Sequence, residues 1–226
     1  MGNGRKQSCE YYMKKSGRYD TSALIVAQFE PGSRGRVLKN LLGIKTKSEM
    51  DVVEQKEQFR AIEELAGIYG QSHRFTAEDV CNIHRTWLRP IYTWAGRYRQ
   101  VNLTKGDFPF AAAQQIPMLM AEFEKSLLHQ FTPCRFSLMD DVVKALAIVH
   151  TELILIHPFR EGNGRVARLL ANLMAAQAGL PFLDFTGIIK GRKREEYFVS
   201  VRAGLDRNYK PMEKVFSEVI GRTLQT

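Results

Sequence analysis

Between His157 and Arg168 the chain gathers an imidazole, a carboxylate, a Gly-Asn-Gly step and two arginines. His157 can take a proton near neutral pH. Glu161 is a natural magnesium ligand beside phosphates. Gly162-Asn163-Gly164 sits where a helix must begin, so its main chain can offer unpaired N–H groups to an anion. Glycine also lets that main chain take unusual angles and approach an oxygen closely. Arg165 and Arg168 lie three residues apart and can share one face of the first helical turn. Two guanidinium groups beside a glycine nest suit a phosphate chain better than a single carboxylate. Taken singly, each of these residues has an ordinary structural use as a cap or a surface group. Their concentration within twelve residues points to a magnesium-assisted phosphate site with a base beside it.

Two other uses of the segment fail on spacing. A zinc pair from His157 and Glu161 needs unbroken helix between them, which Pro158 and Gly162 oppose, and no third ligand stands nearby. The Walker pattern is not met, because no Gly-Lys-Ser/Thr follows the glycines.

The elements that must hold these groups are readable on either side. An apolar stretch opening near Ser137-x-x-Asp140 runs to His157, where Pro158 forbids further helix. A second helix follows through Val166, Leu169, Leu170 and Leu173, with Gly179 as its C-terminal stop. The segment therefore reads as helix, tight loop, helix. Earlier in the chain, Ser48-x-x-Asp51 opens a helix to about Tyr69, and Thr76-x-x-Asp79 opens one towards Leu88 that Pro90 ends. Another helix spans about Gln114 to Gln130. Arg97 to Phe110 departs from this pattern, with short β-favouring runs around Thr104-Lys105-Gly106-Asp107 that suggest a hairpin, or else a surface loop. Residues 1–47 are rich in Gly, Ser, Lys and Arg and read as an irregular N-terminal arm to a single mainly α-helical domain at 48–226.

Bulk properties narrow the class. The 226 residues are 44% hydrophobic and 25% charged, as in a soluble globular protein. The apolar stretch Ala145 to Ile156 is too short to span a bilayer and reads as a buried helix, so no membrane is indicated. Cys9, Cys81 and Cys134 are scattered and odd in number, which suits a reducing compartment, with the cytoplasm as the default. The polar start has no apolar core of a secretory signal. A net charge of +9 could attract polyanions. The only basic cluster, Lys190 to Arg194, is followed by Glu195 and Glu196 and reads as a solvated helix start. With no nucleic-acid-binding motif, nucleic acid is not indicated.

The run His157-Pro158-Phe159-Arg160-Glu161-Gly162-Asn163-Gly164-Arg165-Val166-Ala167-Arg168 resembles the signature of the Fic (filamentation induced by cyclic AMP) family. That signature is His-Pro-Phe-x-Asp/Glu-Gly-Asn-Gly-Arg-x-x-Arg, and every defined position is met. Leu38 to Met50, Trp94 to Arg99, the 98–110 hairpin and Tyr197 to Pro211 also look like Fic core features, so the resemblance covers about residues 40–215. It implies a helical bundle with a β-hairpin flap over the active site. It also implies a protein adenylyltransferase that moves AMP from ATP to a Ser, Thr or Tyr hydroxyl of a target protein.

The resemblance assigns roles residue by residue. His157 would be the general base, and Glu161 the ligand of Mg2+. Gly162, Asn163 and Gly164 would cradle the phosphates with backbone and amide donors. Arg165 and Arg168 would bind the pyrophosphate portion, and Tyr197 would lie near the adenine or pack in the core. Phe159 would pack beneath the loop. Lys105, Gly106 and Phe108 would lie at the flap tip and hold the target as an added strand.

Many Fic proteins inhibit themselves with a Ser/Thr-x-x-x-Glu-Gly/Asn helix aimed at the second arginine. No Ser or Thr in this chain has a Glu four residues later. The expectation is a separate antitoxin-like inhibitor, as for the toxin of a toxin–antitoxin pair. Fic relatives also move UMP, phosphocholine or phosphate. The phosphate-transferring branch replaces the second glycine by lysine, so Gly162 and Gly164 favour nucleotidyl transfer. A non-catalytic nucleotide-binding module is the remaining alternative, against which the intact His157 and Glu161 argue.

Overall fold

A computed structural model describes residues 24–188 and 191–225. The first helix, α1 (Lys47–Ile68), buries Met50, Glu54, Ala61 and Leu65, positions that recur on one helical face. Its cap is Thr46, whose side chain accepts from the Glu49 N–H. The expected Ser48 box is therefore displaced by two residues, since a threonine already in extended backbone can cap the helix earlier. In α2 (Ala77–Leu88) the Thr76–Asp79 capping box forms as the sequence predicts.

Between α2 and the next helix the chain runs through Trp94-Ala95-Gly96 to the hairpin. Its strands are β1 (Thr104–Lys105) and β2 (Phe108–Pro109), paired Thr104 to Pro109 and Lys105 to Phe108. Gly106, in the turn, has φ +57°. The hairpin is thus present but only two residues long on each side. A helix follows as α3 (Ile116–Phe123), a π turn (Glu124–Leu128) and α4 (His129–Phe131).

The centre is α5 (Met139–Ile156), buried on nearly all sides from Val142 to Ile156. Such all-round apolarity places a helix inside a bundle. It packs on α6 (Asn163–Gln177), α3, α7 (Gly191–Ala203) and α8 (Lys210–Thr223). Ser137 does not cap α5: Leu138 occupies that position with no side-chain hydrogen bond, and Asp140 and Asp141 serve the helix dipole instead. Gly179, at φ +77°, follows the end of α6 as expected of a stop residue.

The expected N-terminal arm at 1–47 is described from residue 24 onwards. Residues 24–46 are irregular, yet Val26, Val37, Leu38 and Ile44 are buried in the same core as the helices. The Arg160 Nε donates to the Val26 carbonyl at 2.9 Å, joining this segment to the loop between α5 and α6. The rest of the expected arm, residues 1–23, lies outside the described residues, as does Lys190 of the basic cluster. The cluster's Arg192 and Lys193 open α7 and form ion pairs with Glu196 and Glu218, consistent with a solvated helix start. Among the described residues, no helix is long and apolar enough to cross a membrane.

Candidate active site

Pro158 stops α5 after Ile156, and His157 closes it in left-handed backbone (φ +53°, ψ 58°). A non-glycine residue there is strained and needs its surroundings to hold it. Three contacts do so. The His157 N–H donates to Leu153 O at 3.0 Å, and its Nδ1 lies 3.0 Å from Ile154 O. The buried Arg99 donates from Nε to His157 O at 2.7 Å. An imidazole bonded to a carbonyl through Nδ1 carries its proton there, which leaves the Nε2 lone pair free to accept another. Phe110, just after β2, stacks on the ring with centroids 3.6 Å apart and planes 13° apart. Burial pushes the His157 pKa down to about 4, so the ring is neutral at physiological pH.

Arg99 is 2% exposed and donates to three carbonyls, those of His157, Val101 and Ala111, at 2.6–2.7 Å. It therefore fastens the His157 turn to both roots of the hairpin. The Arg99 N–H adds a bond to Pro158 O at 2.8 Å.

The loop is supported from below by Phe159 and His84. Phe159 is fully buried, as expected, and stacks on His84 with centroids 3.9 Å apart. His84 accepts the Gly96 N–H at Nδ1 (2.7 Å), so its Nε2 donates to Glu161 O (3.2 Å). Burial holds the His84 pKa down at about 3, which keeps this one-donor, one-acceptor arrangement.

The Gly-Asn-Gly step divides into three distinct jobs. Gly162 is the N-cap of α6 at φ +84°, and a Cβ there would meet the Trp87 ring at 2.7 Å. Both backbone and space demand glycine. Asn163 spends its carboxamide on the loop, accepting from Phe159 N and donating to Phe159 O at 2.8 Å each. The expected amide donor is thus occupied internally, and the Asn163 main-chain N–H is what remains for an anion. Gly164 is ordinary helix, where a Cβ would lie 3.5 Å from an Arg168 nitrogen. The amides of Asn163 and Gly164, in the first turn, have no acceptor within the helix.

The two arginines also differ. Arg165 donates to Glu54 Oε2 at 2.6 Å and to Glu161 Oε1 at 3.2 Å, while its guanidinium sits 4.4 Å above the Trp87 ring. Arg168 has neither an ion pair nor a hydrogen bond among the described residues. Glu161 Oε1 also accepts the Gly162 N–H at 2.9 Å, whereas Oε2 has no such partner.

These groups line one cavity of about 540 Å³, which His157, Glu161, Gly164 and Arg168 share with Lys105 and Phe108 of the hairpin. Lys105 Nζ lies 3.6 Å over the Phe198 ring, and Phe108 packs under Arg202, so the hairpin leans on α7 across the opening. Gly106 supplies the turn between these two residues but does not line the cavity. Tyr197 lines the wall with its ring, while its hydroxyl is engaged by His150 Nε2 at 2.9 Å. Among the described residues no group of three His, Cys, Asp or Glu could hold a metal ion by itself. Magnesium commonly takes one or two carboxylates together with phosphates and water, and the free Glu161 oxygen suits that mode.

Sequence reasoning missed Glu54, Trp87, His84, Arg99 and the stacking role of Phe110. Glu54 had a signal: it is a charged residue within the core-facing set Met50, Glu54, Ala61 and Leu65. Arg99 lies in a stretch already singled out for its family resemblance, without a role of its own.

The Fic/DOC family profile matches residues 74–175, which contain α2, the hairpin, α5 and most of α6. "Protein adenylyltransferase fic-1" of Caenorhabditis briggsae is 32% identical over 134 residues, 58% of this chain and 24% of the relative. "Protein adenylyltransferase VbhT" of Bartonella schoenbuchensis is 31% identical over 143 residues, 63% of this chain and 30% of the relative. The chain thus spans about a quarter to a third of the curated relatives it matches. The BepC protein of Bartonella tribocorum, solved with bound AMPPNP, shares the fold with a TM-score of 0.63. It is 23% identical, and the match covers 80% of this chain and 91% of that one. The helical bundle, the hairpin over the cavity and the complete loop at 157–168 are shared with Fic/DOC proteins, whose family profile matches residues 74–175 of this chain.

Proposed function

We propose that the protein is an adenylyltransferase that moves AMP from ATP to a Ser, Thr or Tyr hydroxyl of a target protein. The observation that carries this reading is a neutral imidazole sharing one cavity with the open first turn of α6. In the proposed step His157 Nε2 takes the proton of the attacking hydroxyl. The hydroxyl oxygen bonds to the α-phosphorus, the bond from that phosphorus to the bridging oxygen breaks, and pyrophosphate leaves. The amides of Asn163 and Gly164, with Arg168, receive the negative phosphate chain. A bound Mg2+, held through Glu161, would neutralise charge on the phosphates. Lys105, Gly106 and Phe108 place the hairpin to pair with an extended segment of the target. Supporting the nucleotide assignment, the curated relatives are named adenylyltransferases and BepC was solved with AMPPNP.

Arg168 has no carboxylate partner among the described residues, and inhibition, where it occurs, would come from a separate antitoxin-like protein that supplies one. Full activity of the protein taken from its native cells, with nothing bound to it, would overturn that part of the proposal.

The decisive experiment is incubation with cell lysate and ATP labelled at either the α- or the γ-phosphate. The α label should enter protein and the γ label should not. His157→Ala should lower the rate by about two to four powers of ten while nucleotide binding survives. Transfer of the γ label, or full activity in His157→Ala, would overturn the reading. If neither label transfers, UMP or phosphocholine is the group to test.

A further inference from the structure

The two signature arginines stand in unlike surroundings, and the difference originates on α1. Glu54, 1% exposed, is the buried carboxylate that faces Arg165. Its Oε1 accepts from the Tyr92 hydroxyl at 3.0 Å and its Oε2 from Arg165 Nη1 at 2.6 Å. Its main-chain carbonyl accepts from Trp87 Nε1 at 2.9 Å, and the Trp87 ring is the surface on which the Arg165 guanidinium rests. The other arm of that guanidinium reaches Glu161 Oε1. A planar fork holds the two carboxylates at a fixed separation through two different nitrogens, a geometry that the single nitrogen of a lysine does not reproduce.

We infer that Glu54 is a positioning residue: through Arg165 it fixes the Glu161 carboxylate so that only one of its oxygens is offered to a metal–nucleotide complex. The inference rests on the reading of the cavity as a magnesium–nucleotide site. It divides the labour of the two arginines. Arg165 lies between two carboxylates, and the three groups together carry one negative charge. Its charge is matched within the protein, so it orders Glu161 rather than receiving pyrophosphate. Arg168, without a carboxylate, is the cation left for the far end of the phosphate chain. Partners that orient a metal-binding carboxylate typically affect metal affinity by about 10–100-fold when removed.

Charge and metal effects then separate in opposite directions. Glu54→Gln keeps the shape and a hydrogen bond but removes a negative charge close to a polyanion site. Binding of a non-hydrolysable ATP analogue in the absence of metal should stay the same or tighten. The factor by which added Mg2+ strengthens that binding should fall roughly tenfold or more. General loosening of the fold would weaken both.

The test is calorimetric titration of the analogue, with Mg2+ and with chelator, into the unaltered protein, Glu54→Gln, Arg165→Lys, Arg165→Gln and the double variant Glu54→Gln/Arg165→Gln. Arg165→Lys, on a side chain that solvent reaches, should reproduce the loss of metal strengthening with its charge retained. Glu54→Gln should add nothing in the Arg165→Gln background, because its effect passes through that arginine. Undiminished metal strengthening in Glu54→Gln, or an added loss in the double variant, would overturn the inference alone. Absence of nucleotide binding in the unaltered protein would overturn it together with the reading on which it rests.

Discussion

The Phe110 ring lies flat on the His157 imidazole, centroids 3.6 Å apart, so the hairpin root forms one wall of the base's environment. The ring excludes water from the imidazole and contributes to the burial that holds its pKa at about 4. Phe110→Ala should let that pKa climb towards the ordinary histidine value. The acid limb of kcat/KM should then move up from near pH 4, and kcat/KM at neutral pH should fall by up to about tenfold from lost stacking. A pH–rate profile of both proteins checks this, and an unmoved acid limb would remove Phe110 from the base's environment.

Arg99 couples the same base to the same hairpin through the main chain. Arg99→Lys can keep the charge but cannot reach three carbonyls at once. Each lost charged hydrogen bond is worth about 1.5–3 kcal/mol, so melting should show a loss of that order or more. In activity the rise should appear in KM for the target protein, with little change in KM for ATP. Steady-state kinetics with each substrate varied separately would expose the opposite pattern.

The two glycines of the loop should behave differently. Gly162→Ala combines a contact of 2.7 Å with Trp87 and a left-handed backbone, and should cost about 1–3 kcal/mol in stability. Gly164→Ala meets only an Arg168 nitrogen at ordinary contact distance. Stability should hold or rise slightly, by up to about 1 kcal/mol, because alanine favours helix more than glycine does. Nucleotide binding should nevertheless weaken as the methyl group enters the cavity. Thermal melts paired with nucleotide titrations distinguish the two.

Acid should weaken the fold well before carboxylates titrate. Burial holds His84 and His150 at about 3 and His157 at about 4. All three are neutral in the folded chain, whereas the unfolded chain protonates them below about pH 6.5. Their contribution is fully present above that pH and is lost as pH falls towards 4. Each therefore makes stability fall progressively with pH in that window. Denaturant melts at pH 7, 6 and 5 measure the slope, and a flat response would contradict it.

Local chemistry made part of this structure legible in the sequence. The Thr76–Asp79 cap, the stop at Pro158 and the turn at Gly179 each depend on residues within a few positions of one another. Competing caps were harder to choose between: Thr46 and Ser48 are both capable, and the deciding factor is where tertiary packing starts the helix. The ligand-facing loop could be read because its groups are contiguous. Its supports could not. Arg99 meets His157 across 58 residues, His84 meets Glu161 across 77 and Glu54 meets Arg165 across 111. Such pairs follow from how α1, α2 and the hairpin root pack against the loop, which no residue pattern in one segment encodes. The Asn163 side chain shows the converse error, where a residue of suitable type is already consumed by its own loop.

The turn from α5 to α6 has one more consequence. It brings the carbonyl end of one helix and the amide end of the next within six residues, with His157 at the former and Asn163 and Gly164 at the latter. These ends carry opposite partial charges. An imidazolium formed at His157 therefore sits where the field favours a cation, while an anion departing past Gly164 sits where it favours a negative charge. In the proposed reaction the two helices would act as a fixed polarity along which a proton and a phosphate chain are drawn apart, and a single residue inserted into the turn should abolish both halves together.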